Sequence, residues 1–259
     1  MSTTTSLVDI DVVGDFPVDF DKTIAAFRRL LPNAIVAATV EDMVEKILRR
    51  LRDGLPEPAL RFKLKRLRIF GHSNGNYIAL SRFVEAPAGK FYRNPGDLTP
   101  SCRKRALSAD ILGLGADEKF YYGGNENELR KLAGKFTERG WAELHACYLA
   151  PGFSGDLSQS KIGHDRYGLY LMKALARLWR VVVLAGSDKQ NPTPGLEGEV
   201  FIVHPDGRVV RKPPPALRKA AVPHDRPSGI AATAAFRASS KPGERSCMSG
   251  HDPRPSGTG

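Results

Sequence analysis

The chain has 259 residues, of which 41% are hydrophobic and 26% are charged, and its formal net charge is +11. This composition is typical of a globular protein, no run reaches the roughly 18 apolar residues of a membrane span, and residues 1–6 lack the pattern of a secretory signal. Three scattered cysteines indicate neither a disulfide framework nor a zinc site, so we expect a cytoplasmic protein without a metal or cofactor.

Short apolar segments alternate with amphipathic segments along the first 186 residues. Strands are predicted at residues 7–13, 34–38, 66–71, 77–83, 141–149 and 181–185. Helices are predicted from Asp19 or Asp21 to Leu31, from Thr39 to Arg52, near 103–109, over 126–139 and over 167–179. In the second helix, Thr39 is the expected N-cap and Asp42 its capping-box partner.

This alternation predicts an α/β fold with a mostly parallel central sheet and helices on both faces. Residues 199–204 and 208–210 flank Pro205-Asp206-Gly207, a favourable turn sequence, and predict a C-terminal β-hairpin. The folded domain is expected to span residues 1–211.

Residues 212–259 differ in composition from the rest of the chain. They contain eight of the nineteen prolines, with eight basic and three acidic residues. Their apolar content is too small to offset the entropy of ordering, which predicts a disordered tail. Because many of the other basic residues lie on predicted helix faces, the charge does not favour nucleic-acid binding. The sequence does not indicate an oligomeric state.

Two predicted strand ends carry residues that are suited to nucleophilic catalysis. The first is followed by Gly71-His72-Ser73-Asn74-Gly75, and the second contains His145-Ala146-Cys147. Reactive groups in an open parallel sheet gather beyond the carboxyl ends of strands. A Cys147 thiolate activated by His72 would attack a carbonyl, with backbone N–H groups at the Ser73–Gly75 turn stabilising the oxyanion. His145 is expected to be packed in the sheet.

This pattern resembles the caspase-like (clan CD) cysteine peptidases, and most closely their bacterial caspase-like domains. These proteins place a His after one apolar strand and a Cys after the next, as Ile69-Phe70-Gly71-His72 and His145-Ala146-Cys147 do here. The resemblance covers roughly residues 7–210. It implies a peptidase with His72 and Cys147 as its catalytic dyad, a polypeptide substrate, and Asp188 as an acid that receives a basic substrate side chain.

Two alternatives remain open at this stage. Gly71-His72-Ser73-Asn74-Gly75 matches the G-x-S-x-G nucleophile elbow of α/β-hydrolases, which would make Ser73 the nucleophile of an esterase or lipase, with His204 as base and Asp188 as its partner. The residues beside Cys147 and His72 also differ from the peptidase pattern. A catalytically silent caspase-like module used for protein contacts is therefore the third interpretation.

Overall fold

The computed structural model describes residues 5–17, 22–53, 61–73, 77–82, 98–112, 119–147, 149, 167–188, 190 and 195–213. The strands are β1 (Thr5–Gly14), β2 (Ile35–Ala37), β3 (Arg61–Phe70), β4 (His72–Ser73), β5 (Ile78–Ala79), β6 (Ala106–Leu107), β7 (Asp110–Leu112), β8 (Lys119–Tyr121), β9 (Phe136–His145), β10 (Val182–Gly186), β11 (Val200–Val203) and β12 (Val209–Lys212). The helices are α1 (Lys22–Leu30), α2 (Val40–Asp53), α3 (Pro100–Lys104), α4 (Glu126–Arg130) and α5 (Tyr167–Trp179).

Seven of these strands form a central sheet in the order β12-β11-β10-β9-β3-β1-β2. The five strands from β10 to β2 run parallel, whereas β11 and β12 are antiparallel to their neighbours. The predicted α/β fold with a mostly parallel sheet is therefore confirmed. The remaining strands form two small antiparallel sheets, β4-β5-β6 and β7-β8.

The back face of the sheet packs against three helices. Alternate residues such as Val12, Ile69, Leu144 and Val183 are fully buried there against the apolar sides of α2, α4 and α5. Thr39 caps α2, since its Oγ1 accepts a hydrogen bond of 3.1 Å from the backbone N–H of Asp42. None of the helices among the described residues combines the length and apolarity that a bilayer span requires.

On β1 and β3, the front face is apolar near the carboxyl ends of the strands. There α1 and the β4-β5-β6 sheet cover Val13 and Phe70, and the rings of Phe27 and Phe70 are 4.5 Å apart. Further toward the amino ends, Asp11 on β1 pairs in register with Arg68 on β3, and Arg68 pairs with Glu143 on β9. Across β1, β3 and β9, the front face is therefore apolar near the carboxyl ends and charged in the middle.

Two predicted helices are wrong in extent. The helix expected over 126–139 ends at Arg130, and residues 136–145 form β9, in which Phe136 pairs with Leu64. Gly134 separates them with φ = 71°, a conformation that ends a helix readily. The helix expected near 103–109 is α3, which ends at Lys104 because the chain then enters β6.

Candidate functional site at the strand ends

The ends of β3 and β9 lie side by side in the centre of the sheet. Phe70 pairs in register with His145, and the Gly71 N–H donates a 3.2 Å hydrogen bond to the His145 carbonyl oxygen. His72 lies two residues after Phe70, and Cys147 lies two residues after His145. Because neighbouring strands are about 4.8 Å apart, the fold brings these two chain positions to one edge of the sheet.

His72 begins the short strand β4, which pairs with β5 through His72 and Ala79. Its side chain is half-buried, and its ring meets the Phe16 ring edge-on, with centroids 5.0 Å apart and planes at 85°. Gly71 permits the close approach of β5, since a Cβ at that position would lie 2.5 Å from the Ala79 carbonyl oxygen. The local sequence thus holds His72 against the edge of the sheet.

Cys147 lies in the turn that immediately follows β9. It is partly exposed, whereas Cys102 on α3 is buried. Partial exposure is a requirement for a reactive thiol, because a sulfur sealed in apolar packing does not meet a substrate. Of the two cysteines among the described residues, Cys147 is therefore the one available for chemistry.

His145 is packed in the sheet, as expected. Its side chain is fully buried, its ring stacks on Phe70 at 4.4 Å, and its Nε2–H donates a 3.1 Å hydrogen bond to Glu143 Oε2. The other oxygen of Glu143 accepts a 2.7 Å bond from the Trp141 indole N–H. These bonds fix the last residues of β9 immediately before Cys147.

The charge state of this pair follows from its burial. Desolvation lowers the pKa of the His145 imidazole, and this effect exceeds the opposing influence of Glu143. Burial acts to raise the pKa of the Glu143 carboxyl, but hydrogen bonds from His145 and Trp141 outweigh it and hold that pKa below its ordinary value. At neutral pH, Glu143 is ionised and His145 is neutral.

Asp188 lies at the same edge, one strand further along. Its loop follows β10, the parallel neighbour of β9, and Ser187 Oγ–H donates a 3.0 Å hydrogen bond to its carboxylate. Buried Gln190 braces the loop by donating to the Asp188 carbonyl oxygen at 2.8 Å. His72, Cys147 and the exposed carboxylate of Asp188 thus follow three neighbouring strands.

The serine-elbow interpretation does not fit this geometry. Ser73 lies in strand β4, paired with Ile78, and not at the head of a helix. His204 follows β11, which runs antiparallel to β10 with Val203 paired to Val183. His204 therefore lies at the amino edge of the sheet, roughly 20 Å along the strand direction from Ser73, and cannot serve as its base. Gly75, the other turn residue, lies outside the described residues.

One acidic position at this edge was not singled out from the sequence. Asp15 directly follows β1, the strand that lies beside β3. Its carboxylate forms an ion pair with Arg28 on α1, at a distance of 2.7 Å. Its backbone N–H donates to the carbonyl oxygens of Ala37 and Leu80. Its position directly after the first apolar strand could have indicated that it lies at this edge. The ion pair with Arg28 is not visible in the sequence.

No family model, curated protein or solved structure matches the chain. Among the described residues, no three His, Cys, Asp or Glu side chains converge to hold a metal ion. The chemistry of this edge therefore has to be inferred from its own groups: an imidazole, a partly exposed thiol and a carboxylate.

Proposed function

We propose that the protein is a cysteine-type hydrolase that cleaves peptide bonds, with His72 and Cys147 as its dyad and a fold of the caspase-like kind. The observation that supports this most strongly is the pairing of Phe70 with His145 in adjacent parallel strands. It brings the two chain positions to one sheet edge although they are 75 residues apart in the sequence.

In the proposed reaction, His72 accepts the Cys147 proton as the sulfur attacks the carbonyl carbon of the scissile bond. The tetrahedral intermediate collapses, the C–N bond breaks, and the His72 imidazolium protonates the departing amine. Water then attacks the resulting thioester with His72 as base, the C–S bond breaks, and the His72 imidazolium returns its proton to the Cys147 sulfur. The products are the amine, a carboxylic acid and the regenerated thiol, so the reaction requires no oxidant or cofactor.

Asp188 is proposed to bind a basic substrate side chain. Its carboxylate is exposed at the edge where Cys147 lies, and Ser187 orients one of its oxygens. A guanidinium or ammonium group would be held there through charge-assisted hydrogen bonds. Asp15 at the end of β1 is a less available partner, because Arg28 already neutralises it.

The test is cleavage of a fluorogenic peptide library by the wild-type protein and five variants. Cys147→Ala should reduce turnover to background, and His72→Ala should reduce it by about 10²–10⁴-fold. Ser73→Ala and Cys102→Ala are the matched controls and should retain most of the activity. Asp188→Asn should mainly weaken cleavage after Lys or Arg.

Iodoacetamide labelling gives a second measurement that does not require a known substrate. Cys147 should be labelled faster than buried Cys102, and His72→Ala should slow the labelling of Cys147. Activity lost only in Ser73→Ala would overturn the cysteine mechanism. Wild-type turnover that neither Cys147→Ala nor His72→Ala alters would favour the silent interaction module.

A further inference from the structure

A groove crosses the front face near the amino ends of the parallel strands. It has a volume of about 430 Å³, and its floor comprises Trp141, Val182, Leu184 and Ile202. Trp141 pairs with Val182 across β9 and β10, and Leu184 pairs with Ile202 across β10 and β11. The floor is therefore a continuous apolar surface contributed by three neighbouring strands. Its size is within the range of small-molecule sites.

The groove carries two guanidinium groups. Arg139 and Arg180 line it together with the carboxylate of Glu138. Both arginines are exposed, and neither forms an ion pair with any residue in the part of the chain that the structure describes. An apolar floor with a net positive rim is complementary to a ligand that has an apolar body and one negative charge.

Arg180 occupies an unusual backbone position. Its φ is 58°, and among the described residues other than glycine it alone has a positive value. It directly follows α5, where the N–H of Val181 bonds back to the Ala176 carbonyl oxygen at 3.3 Å, as in a Schellman motif. Glycine is the usual residue at this position. An arginine that accepts backbone strain while lining a groove indicates a role for its side chain.

We infer that this groove binds a small organic monocarboxylate with an aliphatic or aromatic body. The carboxylate lies between the guanidinium groups of Arg139 and Arg180, and the body lies on the Trp141 ring and the adjacent aliphatic side chains. The Trp141 indole N–H is already bonded to Glu143, so the ring offers its apolar surface. Glu138 disfavours ligands with a second negative charge.

This site is separate from the proposed catalytic edge. Trp141 precedes Cys147 by six residues, most of them in β9, and the groove lies at the opposite ends of the strands. The inference is therefore independent of the proposed peptidase activity. Loss of ligand binding at the groove and loss of turnover at Cys147 are distinguishable results.

The test uses 4-phenylbutyrate as the probe and 4-phenyl-1-butanol as its uncharged match. Binding is measured by titration calorimetry and by the fluorescence of Trp141, which a Trp141→Phe variant distinguishes from that of buried Trp179. The wild-type protein should bind the carboxylate at least tenfold more tightly than the alcohol. Arg180→Gly should weaken carboxylate binding at least tenfold while leaving the melting temperature unchanged or higher.

Two further variants test the second arginine of the groove and the effect of net charge. Arg139→Ala should weaken carboxylate binding without affecting the fold, because residue 139 is exposed on its strand. Arg50→Ala removes an equal charge from an exposed position on α2 and should leave binding unchanged. Equal affinity for acid and alcohol, no detectable binding, or full binding by both Arg180→Gly and Arg139→Ala would overturn the inference.

Discussion

Arg68 and Asp11 form a largely buried ion pair on the front face. The guanidinium donates two hydrogen bonds, of 2.6 and 2.7 Å, to the two carboxylate oxygens, and the Arg68 side chain is only 9% exposed. Asp11→Ala would leave that charge without its bidentate partner. We expect a loss of about 3 kcal/mol in the free energy of unfolding, measured by urea denaturation.

The neighbouring pair of Arg66 and Asp9 provides the control. It joins the same two strands at 2.8 Å, but its side chains are 29% and 42% exposed. Because solvent screens such a pair, Asp9→Ala should cost less than about 1 kcal/mol. Equal losses in the two variants would mean that burial does not determine the contribution of Arg68.

The buried pair of His145 and Glu143 makes stability depend on pH. The folded state lowers both pKa values, so the unfolded chain binds more protons than the folded protein as the pH falls. The contribution from His145 is complete above its ordinary pKa of about 6.5 and that from Glu143 above its ordinary pKa of about 4.3. The free energy of unfolding should therefore decrease as pH is lowered from 7.5 to 5.5, first because of His145.

His145→Gln separates this titration from packing. Glutamine retains a donor for Glu143 but does not ionise, so the slope of unfolding free energy against pH between 7.5 and 5.5 should decrease. The measurement is a set of urea denaturation curves across that range. A variant with the wild-type slope would show that His145 is protonated equally in the folded and unfolded states.

At the scale of single elements, the hairpin of β4 and β5 depends on Gly71. An added Cβ would lie 2.5 Å from both the Ala79 oxygen and Ile78 Cγ2, and a backbone atom cannot easily move away. Gly71→Ala should therefore cost about 1–3 kcal/mol. At Gly195 no atom lies within 4 Å of the corresponding Cβ. Gly195→Ala should be nearly neutral when the two variants are compared by thermal unfolding, and equal effects would contradict this packing argument.

The elements that the sequence predicted best are those with a local signal. Residues 167–179 have a helical apolar pattern and form α5 with those bounds. Thr39 is the predicted N-cap of α2, whereas the Asp42 carboxylate accepts a hydrogen bond from the N–H of Ala38, one residue earlier than a capping box requires. The helix predicted over 126–139 is too long. Leu129, Leu132 and Phe136 have helical spacing, but Phe136 is buried through its pairing with Leu64 on β3. That competition between local periodicity and sheet pairing is not visible in the local sequence.

The candidate site can be predicted from the sequence only where the order and direction of the strands can be predicted. The edge that holds His72, Cys147 and Asp188 follows from parallel strands with reactive groups at their carboxyl ends. The position of His204 at the opposite edge depends on β11 running antiparallel to β10. No residue near His204 encodes that direction, so the sequence alone does not exclude the G-x-S-x-G elbow.

At the scale of the whole molecule, the sheet joins segments that are distant in the chain. β3 ends at Phe70, and its neighbour β9 begins at Phe136. One core includes residues from β1, β3, β9, β10 and β11. Since these contacts are non-local, the central strands become stable only together, and folding should be slow relative to helical proteins.

Residues 214–259 lie outside the described residues, and their composition predicts disorder. Removing them should shift the midpoint of thermal unfolding by less than about 2 °C, because a larger shift would correspond to roughly 1 kcal/mol in a domain of this size. The segment carries seven Lys or Arg and three Asp or Glu, so the net charge falls from +11 to +7. The shortened chain should therefore elute earlier from a cation exchanger.

A chain that ends at Pro205 is the control for this truncation. It lacks β12, which pairs with β11 from Val209 to Lys212, and it loses the contact of Val209 with the core. Its melting temperature should fall by several degrees, because β11 then becomes an unpaired sheet edge. If removal of 214–259 lowered the melting temperature as much, the segment would be part of the folded domain and the boundary near residue 212 would be wrong.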